Sequence, residues 1–284
     1  MTWVKITDPT RRQVLLDAAV GRVFSARAAA ERGDIAVPET DGGEIWQTDD
    51  GAVTVWAMPR AGAVVLADID GVTVSWPHLD DLAAQAGWTG GWEFGSFAGE
   101  PRMAALASEA DARRVATKMR VEVAGVPAPI GIRLVPMTDA DFAAYRAVAD
   151  EDYAQERFAS GSEATIEESR RVAAEQMVEY LPDGPRTAGQ RLWTVRDEAG
   201  DRAGILWVGF DDHAGFIYDI SLDEDRRGQG LGTQALRAAA RETADAGLAV
   251  LALNVFGSNE GARRLYTREG YRETEVLWSV PIGG

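Results

Sequence analysis

The chain has 284 residues, a formal charge of −16, a hydrophobic fraction of 46%, nine tryptophans and no cysteine. That length suits two packed domains, and the missing cysteines exclude disulfides, cysteine-based zinc sites and a thiol nucleophile. The acidity argues against an open duplex-binding surface, which is built on lysine and arginine, and it is compatible with drawing a cationic substrate toward an acidic cleft.

No run approaches the ~18 uninterrupted apolar residues of a membrane span, and no secretory pattern opens the sequence, so the expectation is a soluble, cytoplasmic protein with no membrane or nucleic-acid partner. With His78 and His213 as its two histidines, no metal site is expected. Residues 14–32 are Ala-rich, with Val14, Leu15, Ala18, Ala19, Val23 and Phe24 at helical spacing and Gly33 as the stop. Alternation and turn signals then predict antiparallel strands at residues 45–47, 51–58, 63–69 and 72–76, followed by a helix over 101–119 and a strand over 120–124. The stretch Val123-Ala124-Gly125-Val126-Pro127-Ala128-Pro129 reads as a linker, which gives domains at residues 1–128 and 129–284. The helix and strand of residues 110–123 loosely echo residues 240–255, so the first domain reads either as a degenerate copy of the second or as an unrelated α+β domain.

In the second half the pattern predicts a strand at 130–134, a capped helix from Thr138 toward Arg157, a helix over 165–180 stopped by Pro182-Asp183-Gly184-Pro185, and a hairpin of residues 192–195 and 203–210. His213 reads as a hairpin tip. A strand at 216–222 then feeds Asp225-Arg226-Arg227-Gly228-Gln229-Gly230-Leu231-Gly232-Thr233, from which a helix leaves. Glycines there permit positive φ and close approach of a ligand, and the N–H groups of the helix start favour an anion.

The residues Arg227-x-x-Gly230-x-Gly232 resemble the pyrophosphate loop of the GNAT superfamily of N-acetyltransferases, and Asn259-Glu260-Gly261-Ala262-Arg263-Arg264-Leu265-Tyr266-Thr267-Arg268-Glu269-Gly270-Tyr271 is similar to that family's Asn-x-x-Ala-x-x-Leu-Tyr-x-x-x-Gly-Phe element, with Tyr271 in place of Phe. The resemblance covers about the last half of the chain. It implies an α/β (α+β type) fold in which a mixed, mostly antiparallel central sheet is flanked by helices, and acetyl-CoA as cosubstrate without a metal.

It further implies that the pantetheine arm runs along Ile220, Ser221 and Leu222, that Arg227, Gly228, Gln229, Gly230, Leu231, Gly232 and Thr233 grip the pyrophosphate, and that Asn259 bonds the arm, caps its own helix, or does both. Tyr266 would return a proton to the departing thiolate. Ribosomal-protein members often carry Leu-Glu-Val where this chain has Leu253-Asn254-Val255; Asn254 has no useful basicity and can only orient water or substrate. Asp219 is then the replacement candidate for the base, with Glu151, Asp152 and Glu156 as candidates to line the acceptor cleft, each of the four also readable as a solvated surface carboxylate. The expected reaction is direct attack of a neutral primary amine, of a small molecule or peptide, on the acetyl-CoA thioester, with a backbone N–H near Ile220 polarising the carbonyl. A longer acyl group and a non-catalytic acyl-CoA-binding regulatory protein stand as alternatives, and a homodimer is left open.

Overall fold

The computed structural model describes residues 2–32, 42–60, 62–71, 74–163 and 165–282. In chain order its elements are β1 (Trp3–Lys5), α1 (Pro9–Glu31), β2 (Glu44–Thr48), β3 (Thr54–Arg60), β4 (Ala63–Asp70), α2 (Trp76–Ala86), β5 (Gly91–Phe97), α3 (Pro101–Glu109) and β6 (Arg113–Glu122). There follow β7 (Ile132–Pro136), α4 (Asp139–Ser160), α5 (Ile166–Tyr180), β8 (Gln190–Asp197), β9 (Arg202–Phe210), β10 (Gly215–Leu222), α6 (Leu231–Asp245), β11 (Val250–Phe256), α7 (Glu260–Arg268) and β12 (Arg272–Pro281). They form two compact units, Met1–Thr117 with Thr274–Gly284, and Lys118–Glu273. The stretch 123–129 therefore lies within the second unit, and the last strand returns to the first.

The first unit orders its strands β1-β2-β3-β4-β5-β12; β4 and β5 run parallel, and the remaining pairs are antiparallel. Asp8 caps α1 by accepting the Arg11 N–H at 2.8 Å. That helix ends on Arg32 at φ 54; Gly33, the expected stop, lies outside the described residues. Of the strand expected at 72–76, residues 72 and 73 lie outside the described set, and Trp76 opens α2 instead. Ser75 is the N-cap there and Pro77 sits in the first turn, where a missing N–H costs nothing. The helix expected over 101–119 stops at Glu109: Asp111 takes φ 50 and β6 begins at Arg113.

The second unit orders its strands β7-β8-β9-β10-β11-β6. β7, β8, β9 and β10 pair antiparallel in sequence, and β10 with β11 is parallel. Alternation divides its side chains between two cores. Leu206, Val208, Ile217, Leu251 and Leu253 pack with Leu236 of α6, while Leu192, Ile205 and Trp207 pack with Tyr145 of α4 and Met177 of α5. Thr138 caps α4, with Asp141 closing a capping box, and Thr165 caps α5. No helix among the described residues is long and apolar enough to cross a membrane.

Candidate active site

The site begins with one extra residue. Between β10 and β9 the register runs Ile217↔Val208 and then Asp219↔Trp207, so Tyr218 is a bulge. Val208 belongs to the core under α6 and Trp207 to the core under α4 and α5; the bulge thus turns Asp219 onto the α4 face, whereas strict alternation would keep it beside Ile217. Tyr218 stacks on Trp207 with centroids 4.6 Å apart. On its other side β10 pairs with β11 only from Gly215↔Leu251 to Ile217↔Leu253, yet β10 runs on to Leu222 and β11 to Phe256. The two strands part after Ile217 and open a wedge.

That wedge is part of a cleft of about 1060 Å³. It brings together Asp219, Ile220, Ser221, Leu222, Arg227, Asn254, Asn259 and Tyr266 of the sequence-predicted set, along with Asp152 and Glu156. Glu151 is not on its lining; it pairs with Arg170 at 2.8 Å on the surface. Gly228 to Thr233 continue from Arg227 without lining the cleft. Gly228 and Gly230 have φ 73 and 81, and a Cβ on either would meet nothing within 4 Å. Gly230 is also the N-cap of α6 and offers no side chain to its first N–H groups, so those of Leu231, Gly232 and Thr233 remain donors. The Thr233 hydroxyl is turned to Glu269 at 3.3 Å. Arg226 is committed to Asp197 and Asp201 at 3.0 and 3.3 Å, whereas Arg227 donates to the Leu222 carbonyl at 3.2 Å and reaches the cleft.

Two acidic side chains, Asp219 and Glu156, act on Tyr266, and Asp152 acts on both of them. Burial drives the Asp219 carboxyl up to about 6, against the Tyr145 hydrogen bond and with help from Asp152. Glu156 opens on the cleft but is walled by protein; the loss of solvent and the charges of Asp219 and Asp152 push it up to about 7. Tyr266 is 8% exposed, and burial, then Asp219 and Glu156, hold its phenol well above the usual value, hence protonated. Such an arrangement offers a base and an acid near neutral pH. Asn259 accepts the Ala262 N–H at 3.1 Å as the N-cap of α7, which leaves the –NH₂ of the same carboxamide as a donor. The Ile220 N–H is directed at the Asp219 carboxylate. Tyr145, absent from the residues singled out in the sequence, donates its hydroxyl to Asp219 Oδ2 at 2.9 Å.

The first unit repeats the bulge and closes the wedge. β3 and β4 pair Ala57↔Leu66 and then Trp56↔Asp68, skipping Ala67, and β4 pairs with β5 no further than Leu66↔Phe94. Asp68 therefore stands where Asp219 does, opposite a tryptophan. Here Arg22 of α1 bonds Asp68 at 3.0 and 2.7 Å and Asp70 at 3.1 Å, and Arg102 donates to the Ile69 carbonyl at 3.1 Å. A cavity of about 30 Å³ remains, room for a water molecule. The two units thus correspond through β4 and β10, and residues 110–123 hold a turn and a strand in place of the helix and strand read as an echo.

Comparison with known proteins places this architecture in a class: the chain belongs to the Acetyltransferase (GNAT) family, whose sequence model matches residues 153–271. It is 32% identical over 155 residues to the uncharacterized N-acetyltransferase YycN of Bacillus subtilis, across 53% of this chain and 99% of that one. It is also 28% identical over 202 residues to the mycothiol acetyltransferase of Kytococcus sedentarius, across 67% of this chain and 65% of that one. The crystal structure of a GCN5-related N-acetyltransferase from Sphaerobacter thermophilus shares the fold, at 16% identity and a TM-score of 0.59 over 99% of this chain and 96% of that one.

Proposed function

We propose that the second unit transfers the acetyl group of acetyl-CoA to a primary amine of a small molecule or peptide. The observation that carries this is the wedge after Ile217, an open strand edge leading to an uncapped helix start. An amide-rich pantetheine arm suits the edge of Ile220 to Leu222, and the pyrophosphate suits the N–H groups of Leu231, Gly232 and Thr233, with Arg227 adding charge. Open space at Gly228 and Gly230 is what a close-lying phosphate requires. The bound coenzyme supplies the acetyl thioester. Asp219 takes a proton from the acceptor nitrogen as the N–C bond forms; the C–S electron pair leaves with sulfur, and Tyr266 protonates it. Asn254, on the facing strand, orients the acceptor or a water. The first unit takes no coenzyme on this reading, since Arg22 and Arg102 occupy its wedge.

Calorimetric titration with CoA and thiol release from acetyl-CoA over a panel of amines test the reading. One-to-one binding and amine-dependent release of thiol are expected. Failure of the folded protein to bind CoA would overturn it.

A further inference from the structure

Tyr145 is 7% exposed, its ring fixed in the core with Met137, Met177 and Trp207. A hydroxyl carried on a ring that cannot swing bonds Asp219 Oδ2 at 2.9 Å and so fixes the direction of the carboxylate. An ionised carboxylate has about four lone-pair sites on two oxygens; the Tyr145 hydroxyl and the Ile220 N–H take two of them, which leaves lone pairs for the cleft. At the same register in the first unit, Asp68 receives an arginine: Arg22 directs two N–H groups to one oxygen at 3.0 and 2.7 Å. A guanidinium neutralises the carboxylate and fills the space before it. The phenol, sent from α4 as the arginine is from α1, aims the carboxylate and leaves its charge intact.

We propose that Tyr145 is a positioning residue for acetyl transfer, its hydroxyl orienting Asp219 so that a carboxylate oxygen with an open lone pair receives the acceptor's proton. This rests on the reading of Asp219 as the base. In the transfer an N–H bond breaks and its proton joins that oxygen, the new N–C bond forms, and the C–S pair departs on sulfur to be protonated by Tyr266. The groups facing Asp219 are Tyr145, Asp152 and Glu156 from α4 and Tyr266 from α7. Arg146 and Asp150 pair with each other at 2.7 Å and act on Tyr145; Trp207 of β9 and Asn254 of β11 carry no charge. Loss of the hydroxyl removes a donor that favours the ionised form, so Asp219 would hold its proton to higher pH.

Tyr145→Phe keeps the packed ring, and the test compares it with wild type, Asp219→Asn and the double variant. In Tyr145→Phe the acid limb of kcat/KM for acetyl transfer should move up by about one pH unit, a roughly tenfold loss on that limb, with the high-pH plateau lowered as the carboxylate loses its fixed direction and CoA affinity retained. On the Asp219→Asn background the same change should add nothing, because a residue acting through another is silent once that other is gone. A superimposable pH profile, or an equal further loss in the double variant, would overturn the proposal. Carbon NMR of ¹³C-carboxyl aspartate, with the Asp219 signal identified by its absence in Asp219→Asn, gives a readout that needs no acceptor. An upward shift of the Asp219 midpoint in Tyr145→Phe supports the hydrogen bond's role, and an unchanged midpoint refutes it. Wild-type protein that turns over no amine while this shift is present would count against the proposed transfer reaction and not against the Tyr145–Asp219 link.

Discussion

Replacing Gly230 by valine separates what the loop does for folding from what it does for binding. Gly230 sits at φ 81, and a Cβ there meets nothing within 4 Å, so the cost to the protein without ligand is backbone strain, roughly 1–3 kcal/mol for a non-glycine residue held at positive φ. The open space is the space assigned to phosphate oxygens. Hydrogen bonds to a charged acceptor are worth roughly 1.5–3 kcal/mol each; displacing the pyrophosphate from two of the three free N–H groups at Leu231, Gly232 and Thr233 should cost at least about 3 kcal/mol, or about 100-fold in Kd. Gly232→Ala is the control. Its Cβ would lie 3.5 Å from Leu265 Cδ2 and 3.7 Å from Leu222 Cδ1, ordinary contacts at an unstrained φ, so it should bind CoA like wild type and gain up to about 1 kcal/mol from helix propensity. Urea unfolding and CoA calorimetry on both variants are the assays. Wild-type affinity in Gly230→Val would mean that the loop only joins β10 to α6.

Tyr266→Phe should lower kcat by about 100-fold, near the lower end of what a positioned acid contributes, with acetyl-CoA binding nearly unchanged; an unaltered kcat would reduce the residue to packing beside Tyr271. Asp219→Asn should abolish most transfer yet stabilise the fold: burial raises the carboxyl from 3.8 to about 6, a penalty of about 3 kcal/mol on the charged form. That penalty is present above pH ~6 and vanishes below ~4, so the variant's advantage in urea unfolding should be largest at alkaline pH and shrink through that window. Arg22→Ala leaves Asp68 buried without its guanidinium and should cost about 3 kcal/mol at neutral pH, with CoA titration of the variant unchanged. Among the described residues the buried Tyr271 hydroxyl has no hydrogen-bond partner; Tyr271→Phe should be neutral or stabilising by up to about 2 kcal/mol, as read by thermal unfolding.

The path from β10 through the loop to α6, β11 and α7 was legible in the sequence because glycines, a capping Asn259 and clean apolar runs punctuate it. The helix expected across Ala110 was not stopped there because no glycine or proline marks the break; Asp111 makes the turn with a positive φ that its short polar side chain tolerates. The start of α2 hides in an alternating stretch whose deciding signals are Ser75 and Pro77. β5 alternates openly, Trp92, Phe94 and Ser96 inward, and was there to be found. At the site, Asp219 was picked out by its place before the loop, but its partner could not be, since Tyr145 lies 74 residues away and the bulge at Tyr218 that turns the two together leaves no local spacing to read.

β12 has a consequence in time. It supplies β5 with the pairs from Glu275↔Phe97 to Pro281↔Gly91, and Trp278 bonds Ser96 across 182 residues. At roughly 5–20 residues per second on the ribosome, some 10–35 s pass between the making of β5 and the arrival of the strand that covers its edge. An edge left bare that long can recruit other chains, and pairing at such separation is slow to form. The unit made first is the one finished last, and the growing chain carries an unpaired strand edge while the second unit is being made.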